Sequence, residues 1–156
     1  MKLWDAGAQM KLALSHSEDE AIVRSCVNSF ISMGRTVTFV MQRESSPVPA
    51  LALWYEAQME TLKQSPHLRF FNANRVYSIH NGVVVPRKHI VPIQNLTING
   101  VLQPDGETMT FFQFDGAEEF FLGGSGGVFR LCEEYFLILR QLVNDWVLRR
   151  NELQVG

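Results

Sequence analysis

No uninterrupted apolar run in this 156-residue chain approaches the roughly 20 residues that a membrane-spanning helix needs, so no membrane association is expected. Cysteine is scarce. Cys26 and Cys132 lie far apart inside apolar stretches, which excludes a disulfide framework or a thiolate metal cluster and predicts two buried thiols. The four histidines form no close pair, so neither a metal nor another cofactor is expected. The opening residues, Met1 to Asp5, lack the apolar core of a secretion signal, and the expected location is cytoplasmic. With no secretion signal, the sequon Asn95-Leu96-Thr97 reads as a polar turn or strand. The glycine run Gly123 to Gly127 lacks the Lys-Ser/Thr of a phosphate loop and is flanked by Glu118, Glu119, Glu133 and Glu134; by composition it is a flexible joint.

What the chain has is enough apolar residue, 46% against 19% charged, to bury one sizeable core, and its length suits a single domain over residues 1–156. The net charge of −2 hides an asymmetry. Between Thr61 and Pro104 there is no Asp or Glu, whereas Lys63, Arg69, Arg75, Arg87 and Lys88 all fall there, with His67, His80 and His89 among them. A local positive field of this kind can collect an anionic ligand on a protein that is acidic as a whole.

Periodicity predicts four principal helices. The first spans residues about 18–43, with Ser17 as N-cap and a stripe of Val23, Val27, Phe30, Gly34, Val37 and Met41 at spacings of three or four. The β-branched Thr36-Val37-Thr38 and the following Phe39-Val40 favour strand locally and make its far end the weakest part. A second helix, residues about 50–64, turns Leu51, Trp54, Tyr55, Met59 and Leu62 inward. Ser65-Pro66 opens a third over residues 66–81, where Leu68, Phe71, Val76 and Ile79 supply apolar contacts and Gly82 suits a left-handed cap. The last covers residues about 128–153, burying Leu131, Tyr135, Ile138, Leu139, Leu142, Val143 and Trp146. A short helix over Trp4 to Leu14 precedes them. Strands are confined to residues about 83–122: Val83 to Val85, Ile90-Val91, a hairpin of Leu96 to Ile98 with Val101-Leu102 around Asn99-Gly100, and Thr108 to Phe114. The fold class expected is therefore mainly α: a four-helix bundle with a small antiparallel β insertion between the third and fourth main helices.

Within the third helix, Phe70 to Gly82 holds Arg75 followed five residues later by His80. An arginine and a histidine at this spacing on a late bundle helix resemble the motif of the HEPN family, the higher eukaryotes and prokaryotes nucleotide-binding domains. The resemblance covers about Asp19 to Gly82 and, in architecture, the final helix. It implies a small helical bundle that forms a homodimer, and a metal-independent endoribonuclease whose composite site at the dimer seam uses Arg75 and His80. In such a site His80 moves the proton of the RNA 2′-hydroxyl and Arg75 holds phosphate oxygens. Arg69, Asn74, Tyr77, Arg87 and Lys88 are the residues expected to bind nucleic acid around it, with Tyr77 stacking on bases. One departure from the family stands out: Val76 follows the arginine where a polar residue is usual, leaving Asn74 or Ser78 to support the site. The alternative reading is a bundle without catalysis, a partner-binding or nucleotide-binding module such as one half of a toxin and antitoxin pair, and the overall acidity favours it.

Overall fold

The computed structural model describes residues 2–92, 97–98, 101–102, 108–121 and 126–155. The chain is mainly helical, and its described residues hold five α-helices: α1 (Lys2–Ser15), α2 (Glu20–Ser45), α3 (Pro49–Leu62), α4 (Pro66–His80) and α5 (Val128–Val155). Between α4 and α5 lie four strands, β1 (Arg87–Pro92), β2 (Thr97–Ile98), β3 (Val101–Leu102) and β4 (Thr108–Gln113), then a 3₁₀ turn at Ala117–Glu119. The two long helices α2 and α5 touch each other, and each of α1, α3 and α4 packs against both.

The α2 stripe is buried at every one of its six predicted positions. The helix continues through its β-branched run because Val37 and Thr38 are buried there, a case of tertiary packing overriding local preference. The Thr38 carbonyl also accepts a bond from the Tyr55 hydroxyl of α3 at 2.8 Å. Its start differs from expectation. Asp19, not Ser17, is the N-cap, and its carboxylate accepts from the amides of Ala21 at 2.9 Å and Ile22 at 3.1 Å. Gly34 is required by a close approach: a Cβ there would sit 2.8 Å from the Tyr135 ring on α5. Where α2 ends, the buried Ser45 hydroxyl accepts from the Trp146 indole at 2.8 Å and so ties the far end of α5.

β1 and β4 form an antiparallel two-stranded sheet running from Arg87 opposite Gln113 to Pro92 opposite Thr108. β2 and β3 pair as the predicted hairpin, while its Asn99-Gly100 turn, Leu96, and most of the glycine joint lie outside the described residues. Val83 to Val85 was expected as strand and is not. The Asn28 side chain takes the place of a ladder partner, donating to the Val84 carbonyl at 2.7 Å and accepting from its amide at 2.9 Å. Gly82 adopts φ 105°, the left-handed conformation predicted for the end of α4.

The core beneath α4 is aromatic. Phe70 meets Phe71, Phe114, Phe120 and Phe121 edge to face at centroid distances of 5.2–5.7 Å. Phe71 stacks on Tyr135 at 4.3 Å. Val76 and Ile79 were expected to join this packing and instead stand 43% and 61% exposed. Both cysteines are buried, and burial pushes their thiols up. Phe70, Phe71, Tyr135 and Trp146 are buried within the chain, with Trp54 packed against the same core. No described helix is long and apolar enough to cross a membrane.

Candidate anion-binding site

Four cations converge on one cavity of about 270 Å³ between α2, α3 and α4. α2 contributes Ile31, Arg35 and Thr38, residues at i, i+4 and i+7 that share one face. α3 contributes Met59 and, at its C-terminal cap, Lys63. α4 contributes Leu68, Arg69, Phe71, Asn72 and Arg75, again one face of a helix. Tyr135 of α5 completes the lining.

The floor is built by close packing. Because Gly34 carries no side chain, Tyr135 can lie against α2, and stacking on Phe71 holds its ring in place. Burial pushes the Tyr135 hydroxyl up to about 12, so it stays protonated and able to donate at neutral pH, although the Arg35 charge pulls the other way. Arg35 itself donates to the Thr38 hydroxyl at 3.2 Å. Arg69 lies over the Phe120 ring, 5.9 Å from its centroid. Lys63 pairs with Glu60 one turn back on the exposed rim. Among the described residues, Arg35, Arg69 and Arg75 have no carboxylate within ion-pairing distance. No Asp, Glu or His is among the described lining residues of this cavity. Such a set can hold phosphate oxygens by charge-assisted bonds over an apolar, aromatic floor, and no described histidine or carboxylate lines the cavity itself, Glu60 being engaged by Lys63 on the rim.

The residues named from the sequence separate accordingly. Arg69 and Arg75 enter the cavity. His80 does not: five residues of α-helix turn it about 140° from Arg75, and it ends α4 at an exposed position outside the cavity lining. Asn74 donates to the Phe70 carbonyl of its own helix at 3.0 Å, and Ser78 to the Arg75 carbonyl at 2.8 Å. Tyr77 is 50% exposed. Arg87 pairs with Asp115 at 2.7 Å, and Lys88 donates to the Glu18 carbonyl at 3.2 Å, away from the cavity. The linear charge count missed Arg35, Asn72 and Tyr135. Arg35 lies on a helix outside the basic segment, and its signal was position alone, one residue after a glycine on the core stripe.

Residues 2–82, more than half of the chain and all of α1 to α4, match the family described as bacteriophage lambda protein ea47. The chain belongs to that family. The HEPN resemblance is thereby overturned. It rested on Arg75 and His80, and with ten arginines and four histidines in the chain about one such pair is expected by chance. The ea47 match contains every cationic residue of the cavity, whereas Tyr135 and the β segment lie beyond it. No curated protein and no solved structure matches the chain.

Proposed function

We propose that this member of the ea47 family is a non-catalytic binding module for the phosphate groups of a nucleotide or RNA ligand. The carrying observation is the convergence of Arg35, Lys63, Arg69 and Arg75 on one cavity with a protonated tyrosine at its floor. A binding role is favoured over RNA cleavage because cleavage needs a proton acceptor and donor at the phosphate, and His80 stands apart from the four cations. The test is calorimetric titration of the whole protein with inorganic tripolyphosphate. Binding that weakens steeply with added salt and is lost in the Arg69→Ala, Arg75→Ala double variant is the expected result. Absence of binding at low salt, or equal binding by the double variant, overturns the reading.

A further inference from the structure

A second cavity, also of about 270 Å³, adjoins the first and shares Arg35, Met59 and Lys63 with it. Beyond those three residues its lining changes character: Gln42 comes from α2, Ser46 from its C-terminal cap, and Tyr55, Glu56 and Glu60 from α3. Glu60 is held by Lys63, whereas Glu56 has no hydrogen-bond or ion-pair partner among the described residues. Cations therefore fill one compartment, hydrogen-bond acceptors line the next, and the two shared cations stand between them.

We propose that the ligand is a single ribonucleotide, with its phosphates among Arg35, Lys63, Arg69 and Arg75 and its nucleoside in the adjoining compartment. The proposal rests on the phosphate reading above and assigns the rest of the ligand. A nucleoside presents sugar hydroxyls and ring or exocyclic N–H donors, which carboxylates such as Glu56 and Glu60 accept, and it offers an apolar face to Met59. Glu56 and Lys63 are seven residues apart on α3, a span of about 10 Å along the helix, which a nucleoside polyphosphate bridges and a lone phosphate group does not. A strand of RNA needs successive cations along its track. Past Lys63 this groove turns acidic instead, while Arg87 and Lys88 are engaged on the sheet.

Three probes separate the outcomes: tripolyphosphate, the four ribonucleoside triphosphates one at a time, and a 5′-phosphorylated RNA hexamer. At least one triphosphate is expected to bind about tenfold or more tightly than tripolyphosphate, and more tightly than the hexamer. The Glu56→Gln, Glu60→Gln variant, changed at two exposed positions, is expected to lose that preference while binding tripolyphosphate at least as well. If tripolyphosphate binds but no nucleotide exceeds it, or the hexamer exceeds every nucleotide, the single-nucleotide assignment falls and the phosphate site stands. A preference that survives in the double variant overturns the placement of the nucleoside. If none of the probes binds, both readings fall.

Discussion

The two halves of α4 share one helix and have opposite surroundings. From Pro66 to Phe71 it is anchored: Phe70 and Phe71 are all but fully buried, and the His67 ring donates to Glu134 of α5 at 2.8 Å. From Asn72 to His80 no residue is buried, and Val76, Tyr77, Ile79 and His80 all face solvent. Arg69 and Arg75 enter the cavity from either side of this divide. In the fixed half Phe71 shares the face that carries the arginines, whereas Phe70, equally buried, is not among the lining residues of the cavity. Substitutions at Phe70 and at the arginines should therefore separate stability from binding.

The sharpest way to break this division is Phe70→Ala. Phe70 is 1% exposed and touches four other phenylalanines. Truncating a buried phenylalanine costs about 3–5 kcal/mol, which urea denaturation should register as a large drop in midpoint with little change in slope. A loss below about 1 kcal/mol would mean that the aromatic cluster does not anchor α4.

Next in size is Arg75→Ala, in the free half. It should leave the urea midpoint nearly unchanged and weaken tripolyphosphate binding by about tenfold to a hundredfold, the range for losing one charge-assisted contact. Arg75→Lys should recover only part of that, since an ammonium cannot make the two-pronged contact of a guanidinium. If Arg75→Ala unfolds the protein, the second half of α4 is structural and the separation fails.

These predictions lean on features of unequal legibility. The stripes of α2 and α5 were readable because a helix buried over several turns repeats its apolar residues at every turn: Val23 through Met41, and Leu131 through Trp146, where Ile138 alone of the expected stripe is only half-buried. α4 misled at Val76 and Ile79, since period assigns a residue to a face but does not say whether another element reaches it. Val83 to Val85 misled because strand preference cannot foresee an asparagine side chain 56 positions away substituting for a ladder partner. At the site, Arg69 and Arg75 were legible from a segment free of acids. Arg35 and Tyr135 were not, because they arrive from two other helices and meet only through the gap that Gly34 leaves.

A smaller effect is expected from acid. The Glu134 carboxyl is held below the usual glutamate range, first by its hydrogen bond from Arg130 and then by that from His67. A carboxyl depressed in the folded state stabilises it above the unfolded pKa, and that contribution fades as pH falls through the folded one. Melting temperature should therefore decline on acidification below about pH 4, and Glu134→Gln should flatten that part of the profile. Glu134 is 35% exposed, so screening holds the effect to about 1 kcal/mol or less. A profile identical in the variant would show that this tie does not fasten the anchored half.

The smallest expected effects belong to the free half, and they discriminate most cleanly between binding and proton transfer. His80→Ala removes a solvent-exposed ring from the last residue of α4, where the chain is ended by the Asn81 amide donating to the Tyr77 carbonyl at 2.7 Å and by Gly82 at φ 105°. None of those backbone features involves the imidazole, so stability should stay within about ±0.5 kcal/mol. Ile79→Ser, at a side chain already 61% in water, should do the same. Tripolyphosphate affinity should be unchanged in both, because the cavity receives its α4 residues only from Leu68 to Arg75. A tenfold loss in His80→Ala would show that the histidine reaches the anion after all. It would restore a proton donor to the site, and the two halves of α4 would then act as one.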